Sequence, residues 1–151
     1  MGAITSIGKN ISEFKESLFN GRCGISLLEG MDKFGELTVK VGGQVKDFNP
    51  VELGMDAGSA RRSDRFSQFG ICAAMQAMEQ SGLKADENIA SSRLGVYVGS
   101  GIGGMQTFID QTLVMKDEGA RLISPLFIPM MIGNLGAGNI AIKFNAQGPC
   151  L

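Results

Sequence analysis

Residues 94–105 read LGVYVGSGIGGM, and their order is strand, turn, helix. Leu94 to Val98 is an apolar run with two β-branched valines, the pattern of a strand covered on both faces. Gly99, Gly101, Gly103 and Gly104 follow within six residues. A Cβ is excluded where a chain leaves a strand, turns sharply and starts a helix beneath a bound group. From Met105 the apolar residues take helical spacing, with Met105, Phe108, Ile109, Leu113 and Met115 on one side. This succession is the unit of an α/β sheet, in which ligands sit at the carboxyl ends of the strands.

Gly99, Gly101 and Gly104 also satisfy the G-x-G-x-x-G spacing that puts a pyrophosphate on a helix N-terminus. That fingerprint needs an acidic residue ending a second strand about 20 residues on. Leu122 to Pro125 stand there, with no acid and no strand pattern. Glycines that admit a close backbone or an uncharged ligand are the better reading.

A chain of 151 residues fits one domain with a real core. Its net charge of -1 gives no electrostatic case for nucleic acid or an anionic membrane. Histidine is absent, which excludes within these residues every Ser-His, Cys-His or His-zinc arrangement. Cys23, Cys72 and Cys150 are far apart with no C-x-x-C pair, so no metal or redox site is expected and a reducing cytoplasm is. Cys72 lies in an apolar helix and reads as inert core. The apolar stretch Leu126 to Ile142 is too short for a bilayer span and is broken by Pro129, Gly133 and Gly136, so it reads as buried protein.

Along the chain, Asn10 and Glu13 resemble a capping box, opening a helix that turns Phe14 and Leu18 inward and ends at Gly21. Thr38 to Val45 places Val39, Val41 and Val45 at period two, a half-buried strand. Asp64 is an N-cap for a helix to about Ser81, with Phe66, Phe69, Ala73, Met75 and Met78 on its face and Gly82 at its end. Beside it, Arg61, Arg62 and Arg65 read either as a solvated helix start or as a basic docking patch for an acidic partner. Asp86 and Glu87 look like solvated surface. Pro129 suits the first turn of another helix, and Gly133, Ala137 and Ala141 form a small-residue stripe for close approach.

Several separated motifs together resemble one family: MGAITSIG at 1–8, RRSDRFSQFGICAAMQAM at 61–78, VGSGIGG at 98–104 and ISPLFIPMMIGNLGAGNIAIKFNAQGPC at 123–150. The chain is similar to the β-ketoacyl-[acyl-carrier-protein] synthases of the elongating, synthase II-like type. The resemblance runs over the whole chain in family order and is far more specific than the glycine spacing alone. It implies an α/β fold, the N-terminal portion of a thiolase-like layered sandwich whose mixed sheet is covered by helices. It also implies a homodimer, an acyl-carrier protein as partner, no cofactor, and a decarboxylative Claisen condensation in fatty-acid elongation. In that reaction a cysteine takes up the acyl group and two histidines help malonyl-carrier protein lose carbon dioxide. The family's nucleophile follows a few residues after the turn matched by Gly148-Pro149, so Cys150 is not it. The nucleophile and both histidines are expected beyond Leu151, and no catalytic residue is expected within these residues. The chain reads as an incomplete domain, truncated at both ends. Alone it is expected to be inactive and to self-associate.

Site residues carry over position by position. Ile102 matches the pocket isoleucine that gates the acyl tunnel, and Phe127 the phenylalanine that reaches across the dimer interface to line the partner's tunnel. Arg62 and Arg121 match basic positions that meet the acidic carrier protein. The family's neighbouring lysines are here Ser59, Ser63 and Leu122, so docking is either weaker or leans on Arg61 and Arg65. A different class stays open: a non-catalytic partner of the chain-length-factor kind, which shares this half and replaces the nucleophile, or an inactive interaction fragment.

Overall fold

The computed structural model describes residues 1–30 and 38–151. Its elements are the helices α1 (Ile11–Phe19), α2 (Ala57–Arg61), α3 (Arg65–Ser81), α4 (Met105–Asp117), α5 (Phe127–Met131) and α6 (Leu135–Phe144), and the strands β1 (Ser26–Leu27) and β2 (Val41–Gly42).

The longest helix, α3, is bounded as its sequence dictates. Asp64 is extended and its carboxylate accepts from the Phe66 N–H at 3.2 Å, while Gly82 takes the left-handed conformation at φ 67° that glycine enters without strain. Between them, alanine, methionine and glutamine carry good helix propensity. Ser67, Ile71 and Cys72 form its buried face. The core gathers there: Met55, Ala60, Ile71, Cys72 and Ile140, with Phe48, Val96, Val98 and Phe144 packed against them. Burying a side chain such as Ile71 (3% exposed) stabilises by about 1.5–3 kcal/mol. Burial pushes the Cys72 thiol up, and the nearby Lys143 only partly opposes it, so this cysteine is inert core, as its apolar helix predicted.

α3 packs on α6 through small residues. Ala137 is fully buried, and a Cβ on Gly136 would meet the Phe66 ring at 3.0 Å. The buried stripe is therefore Gly136, Ala137 and Ile140, not Gly133, Ala137 and Ala141. Gly133 precedes the helix and lies against Gly103, so the four-residue repeat never forms one helical face.

The segment 94–98 is extended and runs parallel to 148–151. The Val96 N–H donates to Pro149 O at 2.8 Å, the Leu151 N–H to Val96 O at 3.0 Å, and the Val98 N–H to Leu151 O at 2.8 Å. α6 lies between these two segments in sequence, which makes the unit an α/β one. Coverage on both faces is not found. Val96 and Val98 point to the core, while Tyr97, on the opposite side of the pleat, is 67% exposed.

Two further expectations change. α1 has the Asn10 cap and a Schellman ending, with the Gly21 N–H on Leu18 O and the Arg22 N–H on Ser17 O. Its buried residue is Ser17, whose hydroxyl donates to Ile7 O at 2.6 Å, and Leu18 is exposed. The Thr38–Val45 strand shrinks to β2, paired antiparallel with β1, and Val39 and Val41 are exposed. The N-terminal turn is held by Gln76, which accepts from the Ala3 N–H at 3.1 Å and donates to Lys9 O at 2.7 Å.

Candidate functional site

The turn at 99–104 leaves the carboxyl end of the extended segment and packs on α5. Gly103 has φ 82°, and a Cβ there would stand 2.5 Å from Met131 O; one on Gly104 would stand 2.5 Å from Met130 O. These two glycines are required by backbone against backbone. Gly99 and Gly101 have nothing within 4 Å of a built Cβ, so no such demand falls on them.

The N-terminus of α4 is already occupied by protein. The Gly104 N–H donates to Met131 O at 2.8 Å. Asp64 Oδ2 accepts from the Thr107 N–H at 3.0 Å and from the Thr107 hydroxyl at 2.6 Å. One carboxylate, 6% exposed, thus closes the starts of both α3 and α4. It sits where the dinucleotide fingerprint would place a phosphate, and it repels one. The nucleotide reading fails on this geometry. Asp64 was legible as the cap of α3. Its link to Thr107, 43 residues away, had no local signal.

Ile102 projects from this turn and is 68% exposed. Phe127 opens α5, half-buried, its ring 6.2 Å from that of Phe108. The Ser124 hydroxyl accepts from the Leu126 N–H at 3.1 Å, and Ser124 O from the Phe127 N–H at 3.0 Å, which fixes the entry to α5. α5 is about 7 Å long, so the Ile102 turn and Phe127 flank its two ends. Met105, Phe108, Ile128 and Ile132 are each at least 40% exposed nearby, so the apolar side of α4 lies open. Leu113 and Met115 continue it, half exposed.

The four arginines are placed differently from one another. Arg61 ends α2 and Arg62 is its C-cap, so both belong to a helix end and not to a loop; both are exposed. Arg65 begins α3 and stacks on Phe48 and Phe69, 5.4 and 5.0 Å from their centroids, while its guanidinium donates to Val45 O. Arg65 is held by the fold and is less available than the other two. Arg121 lies in a short turn, Ala120–Leu122, beyond the C-terminus of α4. α4 spans roughly 20 Å, so one chain does not bring Arg121 to the Arg61–Arg62 end. Asp86 is exposed but not merely solvated: it accepts from the Ser91 N–H and from the Asn145 amide at 3.0 Å each. The Ser91 bonds first, then Asn145, hold its carboxyl below the ordinary value of 3.8. Among the described residues no group of His, Cys, Asp and Glu stands ready for a metal ion, and no helix is long and apolar enough to cross a membrane.

Comparison with known proteins gives the class this arrangement defines. Residues 1–151 match the family described as "Beta-ketoacyl synthase, N-terminal domain". Two curated relatives, the 3-oxoacyl-[acyl-carrier-protein] synthases 2 of Synechocystis sp. and Staphylococcus aureus, are 38% and 39% identical over 149 residues, 99% of this chain. The chain spans 35% and 36% of their lengths. Among solved structures, a β-ketoacyl synthase from Burkholderia phymatum superposes with a TM-score of 0.81 at 22% identity, over 97% of this chain and 36% of that one. The ishigamide ketosynthase/chain length factor gives 0.82 at 19% identity, over 99% and 37%. A type II polyketide ketosynthase in complex with its acyl-carrier protein gives 0.76 at 21%, over 97% and 37%. The fold is that of the ketosynthases. The chain belongs to the β-ketoacyl synthase family and carries its N-terminal domain.

Proposed function

We propose that this chain is part of a 3-oxoacyl-[acyl-carrier-protein] synthase of fatty-acid elongation, acting in the cytoplasm as a homodimer. Its parts here are the wall of the acyl pocket and a docking surface for the carrier protein. The observation that carries the reading is the match of the whole chain to relatives of that name. In the reaction, an acyl group bound as a thioester to an enzyme cysteine is attacked by the carbanion formed when malonyl-carrier protein loses carbon dioxide. A C–C bond forms, the thiol is released, and 3-oxoacyl-carrier protein leaves. None of the 151 residues is a histidine, so no general base of the family's kind is assigned within them.

Ile102 and Phe127, at the two ends of α5, are the proposed pocket residues. The exposed face of α4 and α5, with Leu113 (49% exposed) and Ile128 (54%), supports self-association. Arg61, Arg62 and Arg121, with Arg65 in a lesser part, are the proposed docking residues. Arg62 and Arg121 stand at opposite ends of α4, so a carrier meeting both has to span its length.

The test is condensation by the intact synthase, followed by mass spectrometry. A 3-oxoacyl-carrier product two carbons longer than the donor, with one carbon dioxide per product, supports the reading. Arg62→Glu with Arg121→Glu is expected to raise KM for acyl-carrier protein and to spare the same acyl group on coenzyme A. A protein that yields product only when a separate ketosynthase subunit is added supports the second reading, a chain-length-factor-like partner with the same fold.

A further inference from the structure

A cleft of about 290 Å³ opens between the end of α2, the start of α3, and α6. Its floor is apolar: Met55 and Ile71, each 3% exposed. Two cations line it, Arg62 at the C-cap of α2 and Lys143 in the last turn of α6. Among the described residues neither has an ion-pair partner within 4.0 Å. The Asp56 carboxylate accepts from the Ser59 N–H at 2.8 Å, and no salt bridge joins it to Arg62 within 4.0 Å. Ser63, 7% exposed, also lines the cleft, and its hydroxyl makes no hydrogen bond among the described residues. Ile142, at the rim, is 82% exposed, more than any other large apolar side chain described.

We propose that this cleft seats an acidic side chain of the carrier protein, with Lys143 as the second cation beside Arg62. The inference rests on the carrier-docking reading of Arg62 and adds a residue from a different helix. Two unpaired cations and an unpartnered hydroxyl call for an anion. The apolar rim decides its source. A small anion would leave Ile142 in water, whereas a protein surface that brings a carboxylate to the cleft also covers it. Lys143 then aligns the carrier along α6, and the cleft fixes register where a lone arginine would only attract.

The test uses the intact synthase with one acyl group presented on the carrier protein and on coenzyme A. Lys143→Glu is expected to raise the ratio of the two KM values about fivefold, and Lys143→Arg to keep it near the wild-type ratio. An unchanged ratio with Lys143→Glu overturns the proposal, whether both KM values stay in place or rise together, since either outcome denies a carrier-specific contact. Inhibition by inorganic phosphate that Lys143→Glu relieves, with carrier KM unmoved, assigns the cleft to a small anion and also overturns it. If Arg62→Glu with Arg121→Glu raises carrier KM while Lys143→Glu does not, the cleft proposal alone falls. If neither does, the docking reading itself fails.

Discussion

Replacing Asp64 by alanine removes one side chain and undoes two helix starts. The first loss is the cap of α3, the 3.2 Å bond from the Phe66 N–H, worth about 1 kcal/mol. The second is the pair of bonds from Thr107, N–H at 3.0 Å and hydroxyl at 2.6 Å, each about 1.5 kcal/mol or more because the acceptor is ionised. The site is 6% exposed, so water does not replace the carboxylate freely. The sum is about 4 kcal/mol. Asp64→Asn keeps an acceptor for the α3 cap and sets an amide against the Thr107 N–H, for a loss of about 2 kcal/mol. Thr107→Val removes the hydroxyl bond alone, about 1.5 kcal/mol. The assay is urea unfolding of the intact synthase, followed by circular dichroism, with Asp64→Ala and Thr107→Val combined in a double-mutant cycle. The two changes are expected to couple by at least about 1 kcal/mol. A loss under about 1 kcal/mol for Asp64→Ala, or additivity of the pair, would refute the claim that one carboxylate joins α3 to α4.

Gly103 and Gly101 make a matched pair. Gly103→Ala puts a Cβ 2.5 Å from Met131 O at φ 82° and is expected to cost about 2 kcal/mol or more. Gly101→Ala meets nothing within 4 Å and is expected to change the thermal midpoint little; equal effects would contradict the packing assigned to the turn. The Asp86 carboxyl is held below 3.8 in the folded chain, so its contribution is present above the unfolded value and is lost as pH falls through the lower folded one. The gap in thermal midpoint between wild type and Asp86→Asn should therefore hold at neutral pH and narrow below pH 3.8; a gap that widens on acidification would reverse the assigned sign.

What the sequence made legible was local. The Asp64 and Asn10 caps, the Gly21 and Gly82 stops and the helical run from Met105 each depend on a few adjacent residues, and each stands in the fold. Alternation hid in plain apolarity: 94–98 contains no polar residue until Ser100, yet Tyr97 faces away from the core. The stripe at 133, 137 and 141 failed because helix α6 begins only at Leu135. Nothing in the spacing tied Asp64 to Thr107, or Lys143 to Arg62. Those links depend on how α3, α4 and α6 pack, and packing between distant segments leaves no local pattern. The proposed pocket residues, Ile102 and Phe127, rest on motif resemblance, and the structure shows where they stand, on either side of α5.

The central claim is that the turn after Val98 carries the wall of an acyl pocket, with Ile102 as its projecting side chain. The most direct measurement is the acyl-chain-length profile of kcat/KM for the intact synthase and its Ile102→Phe variant, from short to long acyl-carrier substrates. A larger ring in the pocket is expected to cost about 1–3 kcal/mol with long chains, roughly 5- to 150-fold in rate, and little with short ones. A variant profile that parallels the wild type at every chain length would contradict the account.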